Sequence, residues 1–337
     1  MKFGQTPRRL ARVCVAVSSL MWAGLASADA TSGTMFYTLF TGGTNVWKVS
    51  YSYDGTVATL GAPTAIVASP GADGIVFAPS GNLLIGGAGA GRVYEYTTAG
   101  ALVGSGSALA PAFHLALDPS GSKVWTSTFG GPLADLPLGP IADASALHAI
   151  SGTESGVTQI AFAPGGKVFY VNGSPNGGGN LGSIDLSTFV TTRFSSSVTS
   201  AHGLVYDSFT GLMTTFGAGS VGSFDPASAT PGATLKEFAT GVCDFDQGAI
   251  DGKGHALIAG CSGITFIDYS TSMDITSPTN YIKSFGGFSG IDDVAPLSGL
   301  GAPPPNDKVP EPASTALTLA ALGLMAYAMR RRQRSAS

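Results

Sequence analysis

One phrase of 13 to 15 residues recurs five times along the chain, and its spacing limits the fold more than any other feature of the sequence. Each copy has a short apolar run, a turn built on Pro, Ser, Asp or Gly, and a second apolar run. The copies are GIVFAPSGNLLIGG (74–87), HLALDPSGSKVWTS (114–127), QIAFAPGGKVFYVNG (159–173), GLVYDSFTGLMTTFG (203–217) and GAIDGKGHALIAG (248–260). They lie 40, 45, 44 and 44 residues apart when aligned on Phe77, Leu117, Phe162, Tyr206 and Ile250.

A third apolar run, often opened by Gly, follows four of these hairpins: GRVYEY (91–96), GSIDL (182–186), GSFDP (222–226) and GITFID (263–268). A period of 40–45 residues with three or four short strands is typical of β-propeller blades. One blade cannot bury both of its faces alone, so blades stack radially around a channel. The sequence therefore predicts an all-β fold with a single β-propeller over residues 29–300.

A sixth, incomplete copy of the phrase, GIDDVAPL (290–297), ends after its first strand. The missing strands are available near the other end of the domain, in TMFYTLF (34–40) and NVWKVSYSY (45–53). We therefore expect six blades, with the last one closed by both termini of the domain and its innermost strand supplied by the C-terminal part. Closure would also remove exposed sheet edges. Five or seven blades are the alternatives.

The second copy is followed by three prolines, Pro132, Pro137 and Pro140, where a third strand should run. Proline cannot donate to a central ladder. The sequence therefore predicts a loop or a distorted strand in this blade.

Polar residues stand at or near equivalent positions just before the innermost strands, at one mouth of the predicted channel. They are Asp73, His114, Gln159, His202, Asp246 with Gln247, and Asp292 with Asp293. Such a ring suits calcium, another divalent cation or a polar ligand. The alternative interpretation is that these groups line a wet channel and cap strand starts. His148 and His255, by contrast, are interpreted as plain surface residues.

The repeat pattern resembles six-bladed propellers of the NHL-repeat and lactonase-like kind. This resemblance raises the prospect of a metal-dependent lactonase, but the residues do not match one by one. The body has only three glutamates, Glu95, Glu154 and Glu237, and none precedes an inner strand. The G-x-S-x-G elbow of serine hydrolases does not occur. No catalytic residue is therefore assigned.

Cys243 and Cys261 are the two cysteines that follow the N-terminal segment. If DGKG (251–254) is a hairpin turn, residues whose numbers total 504 or 505 face each other, which places the two cysteines across from one another. We expect a disulfide, which an oxidising compartment permits. Two buried free thiols are the alternative.

The first 28 residues have the pattern of a secretory signal peptide, with a basic start, an apolar run from Val13 to Leu25 and ASA at 26–28. We expect export through the Sec translocon. Residues 29–307 contain eight Lys and Arg against 20 Asp and Glu, a balance of −12. Because a body of this charge repels polyanions, nucleic acid is excluded as a partner.

The C-terminal part has three elements: a Pro-rich linker (301–308), the tetrapeptide Val309, Pro310, Glu311 and Pro312, and an apolar run that ends in Arg330, Arg331, Arg332 and Arg334. The run from Thr315 to Met329 would span about 22 Å as a helix, short of the ~30 Å hydrocarbon core. We expect a short transmembrane helix over 313–329, with the arginines on the cytoplasmic side of the inner membrane.

This arrangement over residues 309–334 resembles the PEP-CTERM sorting signal. The resemblance implies cleavage near the tetrapeptide by an exosortase, in a Gram-negative bacterium that makes exopolysaccharide and a biofilm matrix. The body would stand in the periplasm on a transient inner-membrane anchor and would then reach the cell surface or the extracellular matrix. A permanent anchor is the alternative.

Three functions remain open at this stage. The first, which the missing catalytic constellation favours, is a non-catalytic surface or matrix protein whose propeller binds exopolysaccharide or another envelope component. The second is a metal-dependent hydrolase, lactonase or lyase at the channel mouth. The third is a structural spacer without a specific ligand.

Overall fold

The computed structural model describes residues 30–40, 43–242, 244–260 and 262–295, which form short β-strands and two 3₁₀ turns, Pro164–Gly166 and Pro231–Thr234. The strands are, in chain order, β1 (Thr31–Leu39), β2 (Val46–Tyr53), β3 (Ala58–Leu60), β4 (Thr64–Val67), β5 (Ala72–Phe77), β6 (Leu83–Gly87), β7 (Arg92–Tyr96), β8 (Leu102–Ser107), β9 (Leu115–Leu117), β10 (Lys123–Ser127), β11 (Leu133–Pro137), β12 (Leu147–His148), β13 (Ser151–Gly152), β14 (Gln159–Phe162), β15 (Val168–Val171), β16 (Gly179–Asp185), β17 (Val190–Val198), β18 (Gly203–Asp207), β19 (Leu212–Gly217), β20 (Ser220–Phe224), β21 (Lys236–Ala239), β22 (Gly248–Ile250), β23 (His255–Gly260), β24 (Gly263–Asp268), β25 (Tyr281–Gly286) and β26 (Ile291–Val294). The prediction of an all-β body is confirmed.

The strands within the described ranges form six sheets, and each sheet is one blade of a β-propeller. In five blades four strands follow the chain outward from the channel: β5–β8, β9–β12, β14–β17, β18–β21 and β22–β25. In the third of these blades β13 is added at the outer edge, parallel to β17. The innermost strands contact those of neighbouring blades around the ring. The recurring phrases are the two inner strands of these blades, so the prediction of six blades is confirmed.

The sixth blade joins the two ends of the domain. Its strand order is β26, β1, β2 and β3, with β4 also paired to β2. The innermost strand, β26, pairs antiparallel with β1 through Tyr37 with Val294 and Leu39 with Ile291. Closure by both termini, with the C-terminal strand innermost, is as predicted.

The third strand of the second blade is regular, and here the prediction of a loop or distorted strand was wrong. β11 pairs with β10 at five consecutive positions, from Lys123 opposite Pro137 to Ser127 opposite Leu133. The prolines flank the strand: Pro132 precedes it, Pro137 is its last residue and Pro140 follows it. A proline at a strand end removes no ladder bond from the interior.

Apolar side chains pack mainly between blades. Each of the six clusters of buried apolar residues draws on two adjacent blades. For example, Phe169 of the third blade meets Phe224 of the fourth edge-to-face, with ring centroids 5.2 Å apart. Fully burying a side chain of this size stabilises the fold by about 1.5–3 kcal/mol. The blades therefore hold one another in place around the channel.

The hairpin around DGKG has a different register from the predicted one. Gly248 lies opposite Ile258 and Ile250 opposite Ala256, one to two residues away from the expected pairing. The turn is longer than a two-residue loop, with the amide of Asp251 donating to the carbonyl of His255 at 2.9 Å. Cys243 and Cys261 themselves lie outside the described residues, so their disulfide stays a prediction.

The predicted signal peptide (1–28), linker (301–308) and transmembrane helix (313–329) also lie outside the described residues. In the part of the chain that the structure does describe, none of the helices has the length and apolarity needed to cross a membrane.

A buried aspartate and histidine cluster as candidate functional site

The starts of the inner strands bring six of the eight predicted ring residues to one end of the channel. Asp73 lies in β5, His114 directly precedes β9, His202 directly precedes β18, and Asp246 lies two residues before β22. Asp292 and Asp293 lie in β26. Asp73, His114, His202 and Asp293 are buried, while Asp246 and Asp292 are partly exposed. We call these six residues the mouth cluster.

His202 is oriented by a backbone contact. Its Nδ1 atom lies 3.0 Å from the carbonyl oxygen of Gly173, which can only accept, so Nδ1 carries a proton and donates it. The other ring nitrogen, Nε2, then lies 2.7 Å from Oδ1 of Asp246. A hydrogen bond over that distance needs a proton on Nε2 or on the carboxylate, which a bound cation would replace. Metal-binding histidines commonly donate their other ring N–H to a backbone carbonyl, as Nδ1 does here.

His114 approaches the same carboxylate from the second blade. Its Nε2 lies 3.6 Å from Oδ1 of Asp246, and its ring meets that of His202 edge-to-face at 4.8 Å. The potential ligand atoms of His114, His202 and Asp246 all lie within 4.8 Å of one another. Those of Asp73, His114 and Asp293 form a second such group, so His114 belongs to both.

Several buried polar atoms of the mouth cluster have no hydrogen-bond partner among the described residues. They are Nδ1 of His114, Oδ2 of Asp292 and both carboxylate oxygens of Asp293, a residue that is 0% exposed. A buried polar atom without a partner costs about 1–3 kcal/mol. A cation bound among these atoms would satisfy several of them at once.

Burial shifts the protonation of three carboxyls. Burial, together with the charge of Asp246, raises the pKa of Asp73 to about 7. Burial is also the largest cause that raises the pKa of Asp292 and of Asp293 well above the ordinary value, and the neighbouring carboxylates add to it. These carboxyls therefore hold protons near neutral pH that a divalent cation would displace.

The two groups at the other side of the cluster shift the opposite way. Burial, followed by the nearby His202, lowers the pKa of His114 to about 3, so its imidazole is neutral and able to act as a ligand. Burial opposes ionisation of Asp246, but the hydrogen bond from His202 and the two imidazoles outweigh it and lower its pKa. Neutral imidazole beside an ionised carboxylate is the state that binds metal.

Two further residues support the cluster. The hydroxyl of Thr38, on β1, donates to the carbonyl of Asp73 at 2.6 Å and accepts from the amide of Asp293 at 3.1 Å. It thus sets the spacing of two cluster strands. The amide of Gly74 donates to the carbonyl of Phe113 at 3.0 Å, and a Cβ on Gly74 would overlap that oxygen. Neither residue was identified from the sequence, although a Thr within an apolar strand was a visible signal.

Two predicted ring residues lie outside the mouth cluster: Gln247, which is buried, and Gln159, which takes part in a contact between blades. Its side-chain oxygen accepts from the backbone amide of Leu204 at 2.6 Å, so it joins the third blade to the fourth. The hydrogen bond occupies the side-chain oxygen, which is the side-chain atom of Gln159 that would coordinate a metal.

The interpretation as plain surface residues was wrong for His255, while His148 is partly exposed but paired. His255 is completely buried, and its Nδ1 lies 2.6 Å from Oδ2 of Asp251. His148 lies 2.7 Å from Oδ1 of Asp135 and stacks on Phe189 at 4.2 Å. Both contacts lie away from the mouth cluster, within or between blades, and they stabilise the fold.

Residues 308–332 match the PEP-CTERM protein-sorting motif. The chain carries an exosortase sorting motif. It is thus an exported protein, anchored in the membrane before exosortase cleavage. The match includes the predicted Val309–Pro312 tetrapeptide and Arg330 to Arg332, while Arg334 lies just beyond it. No protein of curated function matches the sequence.

The propeller is similar to many solved structures. A candidate 6-phosphogluconolactonase from Bacteroides fragilis is 14% identical, with a TM-score of 0.50 over 75% of this chain and 82% of that one. The periplasmic gluconolactonase of Pseudomonas aeruginosa is 13% identical, with a TM-score of 0.49 over 78% and 98%. A virginiamycin B lyase from Staphylococcus aureus is 11% identical, with a TM-score of 0.49 over 77% and 89%. At such identities the likeness is one of fold.

Proposed function

We propose that this exported propeller binds a divalent cation in the mouth cluster and, through that cation, a polysaccharide of the cell envelope. The observation that carries the proposal is the set of buried, unpartnered ligand atoms on His114 and Asp293. Asp and His side chains from five of the six blades converge there, so most of the ring contributes to one site.

The donor set indicates which cations to expect. Two imidazole nitrogens with one carboxylate suit a transition metal such as Zn²⁺ or Mn²⁺, whereas a group rich in carboxylates suits Ca²⁺ or Mn²⁺. The cluster contains both kinds of donor, with His114 shared between them. Mn²⁺ accepts both, and Ca²⁺ and Zn²⁺ are the two alternatives to compare with it.

The charge of the body supports binding through a cation. With a balance of −12 over residues 29–307, the protein repels an acidic polymer and offers little direct attraction to a neutral one. A bound cation supplies a local positive charge and open coordination positions for hydroxyl or carboxylate oxygens. The sorting motif indicates export, which supports a ligand in the cell envelope.

Cosedimentation with envelope polysaccharide tests the proposal. We expect binding in the presence of Mn²⁺ or Ca²⁺, loss of binding in EDTA, and loss in the His114→Ala/His202→Ala double variant. His148→Ala is the matched control, because it removes a histidine outside the cluster. Binding that is equally strong in EDTA would contradict the proposal, as would binding by the double variant.

A second candidate is a metal-dependent hydrolase, lactonase or lyase at the same mouth. The observation in its favour is Asp73, whose pKa of about 7 suits a general base at neutral pH. A screen of lactones and esters with and without EDTA tests it. Turnover that EDTA and Asp73→Asn both abolish would support catalysis, and the absence of turnover leaves binding as the function.

A further inference from the structure

An exposed phenyl ring stands directly beside the mouth cluster. Phe129, in the turn between β10 and β11, is 46% exposed, although phenylalanine is usually buried. Its ring centroid lies 5.4 Å from that of His202, at an angle of 47°. It also meets Phe113, the residue before His114, edge-to-face at 5.8 Å.

The turn that carries Phe129 is held firmly by the backbone. Gly131 donates its amide to the carbonyl of Thr128, and Val157 donates to the carbonyl of Gly131 at 3.3 Å, which ties the turn to the next blade. Gly130 has a φ of +74°, a conformation that favours glycine. The aromatic surface is therefore in place before any ligand arrives, which reduces the entropy cost of binding.

We propose that Phe129 is the stacking platform for one pyranose ring, whose adjacent hydroxyls reach the cation in the mouth cluster. This rests on the cation site proposed above and adds the class of sugar and the residue that selects it. A pyranose has an apolar C–H face that packs on the face of an aromatic ring and polar oxygens at its rim. The platform and the cluster are adjacent through His202, so one ring can use both.

The charges around the platform favour a neutral sugar over a uronic acid. Asp73, Asp246, Asp292 and Asp293 surround the site with four carboxyl groups. One divalent cation balances two negative charges, so the site stays acidic once more than two of these carboxyls have given up their protons to it. A uronate carboxylate would add a charge to an acidic site in an acidic body. Hydroxyls add none, and they are able to donate to the carboxylates while they coordinate the cation. The ligand class is thus a neutral polysaccharide with vicinal hydroxyls.

The chain offers a matched control for the platform. Phe40 is another exposed phenylalanine, 68% exposed, and its amide donates to the carbonyl of Gly290 at 2.7 Å. It belongs to the sixth blade and has no ring contact among the described residues. Phe40→Ala therefore removes the same side chain from the surface without removing the platform.

Titration with oligosaccharides in saturating cation tests the proposal, with cation affinity measured separately by calorimetry for every variant. The probes are neutral manno-, gluco- and galacto-oligosaccharides and uronate oligosaccharides of matched length. We expect neutral sugars to bind the unsubstituted protein more tightly than uronates. Phe129→Ala should weaken neutral-sugar binding about tenfold, the loss of one stacked ring, and leave cation affinity unchanged. Phe129→Trp should retain binding, and Phe40→Ala should have no effect.

The outcomes separate this inference from the proposed function. If the cation binds normally and Phe129→Ala leaves sugar affinity unchanged, the platform is disproved while the cation site stands. If uronates bind more tightly than neutral sugars, or no sugar binds, the sugar class is wrong. A protein that binds no cation at all refutes the proposed function, and this inference with it.

Discussion

His202 and Asp246 lie 44 residues apart in the sequence, and Nε2 of the one is 2.7 Å from Oδ1 of the other. The separation equals the interval between two copies of the repeat, so the contact joins equivalent positions in neighbouring blades. A propeller brings such positions together around its axis. The mouth cluster is thus a direct consequence of the repeat, and its chemistry depends on which side chain each copy places there.

The mouth cluster should make the stability of the metal-free protein fall as pH rises from 6.5 to 8.5. His114 opposes this effect only at the acid end of the range: folding lowers its pKa to about 3, whereas an unfolded imidazole is about half protonated at pH 6.5 and neutral above about pH 7.5. The pKa of Asp73 is about 7 in the folded state and near 3.8 in an ordinary carboxyl, so the folded state binds more protons. Stability that depends on this proton is lost as pH rises through about 7. Thermal unfolding in EDTA measures the effect.

The same experiment has an internal check. Asp73→Asn removes the titrating group and should flatten the fall, and saturating Mn²⁺ should raise Tm more at pH 8.5 than at pH 6.5. A Tm in EDTA that stays level or rises over this range would contradict the account.

Asp293→Asn should stabilise the metal-free protein and weaken cation binding. Asp293 is fully buried with both oxygens unpartnered, so a neutral amide of equal size removes the cost of burying an ionisable carboxyl, about 1–3 kcal/mol at pH 8. Denaturant unfolding in EDTA and calorimetry with Mn²⁺ measure the two effects. Asp225→Asn, in an exposed turn, is the control. Destabilisation of the metal-free protein by Asp293→Asn would contradict the claim that burying this carboxyl costs stability when no cation is bound.

Thr38→Val should destabilise the fold by about 1–2 kcal/mol, because it removes the hydroxyl that joins Asp73 to Asp293. It should also weaken cation binding, since those two strands lose their common contact. Thr59→Val makes the same change at an exposed cross-strand pair with Ser52 and should cost less. If both substitutions changed the free energy of unfolding and the cation affinity equally, the Thr38 hydroxyl would not be what joins Asp73 to Asp293.

Gly74→Ala should destabilise the protein by about 1–3 kcal/mol, because its Cβ meets the carbonyl of Phe113 next to His114. Gly89→Ala is the control, since a Cβ there has no atom within 4 Å and its backbone needs no positive φ. Denaturant midpoints of both variants give the comparison. A Gly74→Ala protein as stable as the Gly89→Ala control would show that β5 moves to accommodate the added methyl group, and it would contradict this prediction.

The sorting motif predicts a shorter mature protein. Cleavage near Val309–Pro312 removes Arg330 to Arg334, so intact-mass measurement of the protein from its own host should find that end missing. In a host without exosortase the C-terminal arginines should be retained. Retention of the arginines in the native host would indicate a permanent anchor.

Much of the architecture follows from local patterns. The repeat and the sixth incomplete copy predicted the blades, their number and the pairing of β26 with β1, because propeller blades depend on short strands at regular intervals. The third strand of the second blade was missed, since Pro132 and Pro137 were judged by their presence rather than by their place at the strand ends. The DGKG register was missed because the turn length depends on contacts of Asp251 and His255 that the sequence does not display.

The site was predictable only in part. Asp73, His114, His202 and Asp246 could be found because each stands at the same point of a repeat. Gln159 stands there too, but its contact with Leu204 depends on the distance between two blades. Thr38 and Phe129 lie outside the aligned positions of the repeat. They lie beside the cluster because the blades are arranged in a ring. Burial of His255 likewise comes from the neighbouring sixth blade, where Tyr53 packs 5.7 Å from its ring.

Calorimetric titration of the purified, exported protein with Mn²⁺, Ca²⁺ and Zn²⁺ tests the central claim most directly. We predict saturable binding of at least one of these cations, with release of protons near neutral pH and loss of binding in the His114→Ala/His202→Ala double variant. A correctly folded protein that binds none of the three, or a double variant that binds as well as the unsubstituted protein, would contradict the account.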